Sequence, residues 1–140
     1  ADLAEVARRA AAEQGGEAVV RVRAPPDLPP GRVSPAALGA VLATLLENSE
    51  QAGARAVDLR VSTDGERLRL VAADDGAGVP EADRARVFEP FFTGRRERGG
   101  TGLGLPIARS LLAATGGALA LDEAVGRGAT FVLTVPRVDR

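Results

Sequence analysis

The sequence has 140 residues, 45% hydrophobic and 26% charged, which suits one domain with its own core and is too short for two ordinary ones. Its formal net charge of −1 gives no electrostatic case for nucleic acid or an anionic membrane, and no apolar run approaches the ~18 residues that span a bilayer. Without histidine or cysteine, the chain excludes a phosphohistidine of its own, a Ser-His-Asp triad, disulfides, and thiolate or imidazole metal sites. Lysine is absent too, so basic contacts to a phosphate must come from arginine or from backbone N–H groups. The chain holds a single asparagine, Asn48. It begins at Ala1 with no methionine and no signal-peptide pattern, which points to a piece of a longer protein. The composition suits the cytoplasm and leaves membrane attachment of that parent open.

Residues 2–14 are Ala-rich with apolar positions at helical spacing, and Gly15-Gly16 ends that helix. Residues 18–23 alternate like a strand and run into a Pro-rich stretch over 25–30. Ser34-Pro35 then starts a helix, with Ser as cap and Pro at the first helical position. Leu38, Val41, Leu42, Leu45 and Leu46 give it one wide apolar face down to about Ala52, with Gly53 as terminator. Strand patterns over 56–62 and 67–73 are joined by Thr63-Asp64-Gly65-Glu66, a hairpin signal. A long stretch of Gly, Pro and charge over 74–100 follows, broken by a short helix over 81–87. A loop this long inside a compact domain is usually functional. A second long helix reads over 102–115, and strands over 118–123 and 130–135 close the chain around Gly126-Arg127-Gly128. The order α-β-α-β-β-loop-α-β-β predicts an α+β fold: a two-layer α/β sandwich, with a mixed sheet covered on one face by about three helices.

Four motifs carry chemistry. Leu45-Leu46-Glu47-Asn48-Ser49-Glu50-Gln51-Ala52 sets an amide at the edge of the apolar face, where its oxygen suits Mg²⁺; by itself it is equally a polar residue on a helix flank. Asp74-Asp75-Gly76-Ala77-Gly78-Val79-Pro80 follows a strand. A carboxylate there can accept a hydrogen bond from the exocyclic amine of adenine, and the glycines admit a flat base; alone, it is also a Gly-rich turn. Val87-Phe88-Glu89-Pro90-Phe91-Phe92-Thr93 holds three of the four phenylalanines, as anchors of a mobile lid or as a satellite core under a loop. Gly99-Gly100-Thr101-Gly102-Leu103-Gly104-Leu105-Pro106 exposes N–H groups at a helix start, where phosphates bind. It is neither a P-loop nor a Rossmann turn.

Taken in this order, the four motifs resemble the N box, first glycine box, F box and second glycine box of the histidine kinase catalytic domain. That domain sits in the wider family of gyrase, HSP90 and MutL ATPases. The resemblance covers residues 2–136, including Gly126-Arg127-Gly128-Ala129-Thr130-Phe131, and Gln51-Ala52 looks like the nitrogen-regulator (NtrB-like) branch. It implies the Bergerat ATP-binding fold over residues 1–140, with ATP as substrate and Mg²⁺ as cofactor. Asn48 is then the catalytic metal ligand, Asp74 reads adenine, and Gly76, Gly78 and Val79 line the base pocket. Thr101, Gly102, Leu103, Gly104 and Leu105 bind the triphosphate under a lid spanning roughly 93–100, and Gln51, Phe92, Thr93 and Gly100 complete the nucleotide contacts. The implied partners are a histidine-bearing dimerisation domain, N-terminal in the parent protein, and a response regulator.

Two positions depart from that pattern. Thr44 stands where many histidine kinases have a second Asn, and Gln51 stands where they often carry Lys or Arg. Arg95, Arg96 and Arg98 are available to supply the missing charge, or form a solvated loop. Thr44 also occupies the place where hydrolysing relatives put a glutamate base. The string 46–54 resembles MutL, yet Glu47 points about 100° away from Asn48 around the helix, which argues against an ATPase. Alternatives to the kinase reading are a nucleotide-binding scaffold without transfer activity, a MutL- or HSP90-like ATPase, and a serine kinase of the anti-sigma type.

Overall fold

The computed structural model describes residues 1–90, 104–122 and 128–138. Helix α1 (Leu3–Glu13) starts at Asp2, whose carboxylate accepts from the Glu5 amide at 3.2 Å. Strand β1 (Val19–Arg23) leads to α2 (Pro35–Gln51), where the Ser34 hydroxyl accepts from the Ala37 amide at 3.0 Å. A cap of this kind is worth about 1 kcal/mol. Gly53, at φ +77°, ends the helix as the sequence predicts. Strands β2 (Ala56–Asp64) and β3 (Arg67–Asp74) form the expected hairpin, with Asp64 opposite Arg67. The short helix Glu81–Arg86 is a 3-10 turn, without a side-chain hydrogen bond at its start. Helix α3 (Gly104–Ala113) precedes β4 (Ala118–Asp122) and β5 (Thr130–Pro136).

The sheet order is β1-β2-β3-β5-β4, with β1 parallel to β2 and the other pairs antiparallel. One face is buried: Leu59, Ala72 and Phe131 lie side by side across three strands, and so do Val61, Leu70 and Leu133. Because the strands alternate in and out, this single buried set places the helices on one side. α2 lies between α1 and α3 and presses Leu38, Val41, Leu42 and Leu45 onto the sheet. The two-layer α+β sandwich is therefore what forms, with α1, α2 and α3 as its covering helices among the described residues. The opposite face of the sheet carries Arg21, Arg23, Arg60 and Arg69, and Arg23 stands directly across from Arg60. Among the described residues no helix is long and apolar enough to cross a membrane.

Candidate functional site

Asp74 ends β3 at the rim of the sheet, next to the start of β5. Its amide donates to the Ala129 carbonyl at 3.0 Å, and the Ala129 amide donates back to Asp74 Oδ1 at 3.0 Å. The Gly76 amide reaches the same oxygen at 3.0 Å. On the other side, the Ser49 hydroxyl of α2 donates to Asp74 Oδ2 at 2.6 Å. One carboxylate thus joins the helix layer to two strands. The neighbouring acid serves the backbone of another strand. Asp75 Oδ1 accepts from the Arg55 and Ala56 amides, at 2.7 and 3.0 Å, and fixes the entry to β2.

Absence of side chains lets the backbone close around Asp74. A Cβ on Gly128 would collide with the Asp74 carbonyl, and one on Gly78, which sits at φ +79°, would lie 2.9 Å from the Gly128 carbonyl. Gly76 packs as tightly on Ala52, and the Ala77 amide donates to the Ala52 carbonyl at 2.9 Å. The first glycine motif is therefore laced to the end of α2. Val79 is half-buried against the core, with its carbonyl accepting from Arg84 Nε at 3.3 Å.

Asn48 lies one residue before Ser49 and is half-buried, and no hydrogen bond ties its side-chain amide to any described residue. Gln51 stands at the last residue of α2, also half-buried. α3 begins close by: a Cβ on Gly104 would lie 3.1 Å from Thr44 Cγ2, one turn before Asn48. Leu105 packs its half-buried side chain against the core. Phe88 also joins the main core, edge-on to Phe131 with centroids 6.3 Å apart, while the Arg109 guanidinium of α3 sits 4.6 Å over its ring. Phe92, Thr93, Gly100, Thr101, Gly102 and Leu103 fall outside the described residues, as do Arg95, Arg96, Arg98, Gly126 and Arg127.

Structure thus brings Asn48, Gln51, Asp74, Gly76, Gly78, Val79, Gly104 and Leu105 to one end of the sandwich. Glu47 turns away, as its place in the helix predicts, and lines a groove of about 540 Å³ between α1 and α2 with Val6, Ala10, Ala43 and Leu46. That groove holds none of the predicted site residues, so the motifs, not the cavity, mark the site. Among the described residues no group of three or more His, Cys, Asp or Glu is placed to hold a metal. Of these residues the Asn48 amide offers a neutral oxygen that could ligate Mg²⁺, and such an ion would need the rest of its oxygen ligands from outside the protein.

Two contributors escaped the sequence reading. The available signal for Ser49 was a hydroxyl on an apolar helix face, which needs a partner when buried, though nothing in the sequence names that partner. Ala129 acts only through its backbone, with its amide and its carbonyl both bonded to Asp74, and no residue type announces that.

Comparison with known proteins bears on this arrangement. The family model described as histidine kinase-, DNA gyrase B-, and HSP90-like ATPase matches residues 33–139. The sensor histidine kinase AruS of Pseudomonas aeruginosa is 46% identical over 101 residues, covering 65% of this chain and 10% of AruS. A mycobacterial sensor histidine kinase, MprB, superposes with a TM-score of 0.77 at 26% identity, over 100% of this chain and 97% of that one. Full-length ShkA, crystallised in complex with AMPPNP, superposes with a TM-score of 0.74 at 34% identity, over 99% of this chain and 29% of its own. None of the three specifically supports the nitrogen-regulator branch.

Proposed function

The chain belongs to the histidine kinase-, DNA gyrase B-, and HSP90-like ATPase family, and from that premise we propose that it is the ATP-binding catalytic domain of a sensor histidine kinase. It binds Mg-ATP and passes the γ-phosphate to a histidine on a separate dimerisation domain, from which a response regulator takes it. The observation that carries this reading is the convergence of Asp74, the Asn48 amide, unengaged among the described residues, and the start of α3 at one end of the fold.

The Asp74 carboxylate accepts from the 6-amino group of adenine, beside the closely packed Gly76, Gly78 and Val79. Asn48 offers its amide oxygen to Mg²⁺, and Gln51 stands one turn further along the helix. Gly104 and Leu105, at the start of α3, turn backbone N–H groups and the helix dipole toward the phosphates, to which Thr101, Gly102 and Leu103 also bind. Phe92, Thr93 and Gly100 complete the nucleotide contacts. The bound metal neutralises charge developing on the phosphates, and the protein otherwise positions the reactants. With no histidine of its own, the domain binds nucleotide without phosphorylating itself. Its place of work is the cytoplasm, where ATP is available.

A second reading, a scaffold that binds nucleotide without transfer, is motivated by Thr44 beside Gly104 and by Gln51. Calorimetric titration with AMPPNP, with and without Mg²⁺, tests the shared part. Metal-assisted binding that Asp74→Asn weakens about tenfold or more is the expected result. Radiolabelled ATP with a supplied histidine-bearing dimerisation domain separates the two. Transfer supports the kinase, and binding without transfer supports the scaffold.

A further inference from the structure

Ser49 is 6% exposed, the one polar side chain so deeply buried among the described residues. It lies on the apolar side of α2, close to Leu45, Leu46 and Ala52, where an unpaired hydroxyl is costly. Its single described hydrogen bond, 2.6 Å long, goes to Asp74 Oδ2. The opposite oxygen, Oδ1, already accepts from the Gly76 and Ala129 amides at 3.0 Å each. An ionised carboxylate offers about four acceptor directions, and three are now occupied.

We infer that Ser49 is a positioning residue for base recognition. By donating to Oδ2 it fixes the plane of the Asp74 carboxylate and leaves one acceptor direction, fitted to one N–H of a purine 6-amino group. A 6-oxo purine brings an acceptor to the same point and is rejected. The inference rests on the proposed reading of Asp74 and names the residue that sets its selectivity.

The test is a cycle of two ligands and two proteins, read by calorimetry. AMPPNP carries the 6-amino group; the corresponding purine riboside analogue carries hydrogen there. Because Ser49 acts through the contact between Asp74 and the amine, Ser49→Ala weakens AMPPNP binding about tenfold, while the 6-hydrogen analogue changes less than about twofold. Equal losses for both ligands mean a general loosening of the site and overturn the inference, as does no loss for AMPPNP. Asp74→Asn, measured alongside, separates the two levels. If it binds AMPPNP like wild type, the reading of Asp74 falls and takes the inference with it. If it loses binding while Ser49→Ala is silent, only the role of Ser49 falls. Ser49→Cys fills nearly the same space with a weak donor, and it gives the same pattern should Ser49→Ala fail to fold.

Discussion

Asp74 and Asn48 face opposite consequences of mutation, though both belong to the proposed nucleotide site. Asp74 satisfies the Ser49 hydroxyl and the Gly76 and Ala129 amides. Asp74→Ala strands these donors, and each one buried without a partner costs about 1–3 kcal/mol. Urea denaturation of the unliganded domain is expected to register a loss of at least about 3 kcal/mol, since three donors are stranded together. Asn48→Ala removes an amide that holds no described neighbour, so stability changes by less than about 0.5 kcal/mol. The same variant is expected to lose the Mg²⁺ dependence of nucleotide binding. Asn48 stood out in the sequence as a candidate because it is the chain's single asparagine, beside an apolar face. The clasp around Asp74 was not, because Ser49 and Ala129 lie 25 and 55 residues from it in sequence.

Helix ends and the central hairpin were the most legible elements, since local chemistry decides them. Ser34-Pro35 and Gly53 bracket α2 as expected, and the Asp64-Gly65 signal falls at the β2–β3 turn. Residues 114 and 115 leave α3 early because the Gly117 amide turns back to the Leu112 carbonyl at 2.8 Å, closing the helix before Gly116-Gly117. The approach of α3 to α2 was hidden, because it depends on Gly104 meeting Thr44 across the fold. A methyl at 104 must push against Thr44 Cγ2 at 3.1 Å. Gly104→Ala is therefore expected to shift the start of α3 and weaken AMPPNP binding, by an amount of about 1 kcal/mol. Adding Thr44→Ser removes the opposing methyl and restores much of the loss; titrations of the single and double variants give the comparison.

Across the whole molecule the two faces of the sheet are unequal. Helices cover one, while the other sets Arg23 against Arg60 with Arg21 and Arg69 nearby. Opposed like charges on adjacent strands are destabilising, and an opposite-charge pair in their place is worth a few tenths of a kcal/mol, so Arg23→Glu should stabilise the domain by about 0.5 kcal/mol. Urea denaturation at low salt reads that gain, and added salt should shrink it by screening. The joining of the two layers is as uneven as their surfaces, since one aspartate ties α2 to the end of β3 and to the residue leading into β5, while Asn48 ties nothing described. In a lineage that abandoned phosphoryl transfer, drift would erase Asn48 long before Asp74. Under the proposed function, an aspartate kept by a distant descendant therefore records the ancestry of the scaffold, and an asparagine kept beside it records continued use.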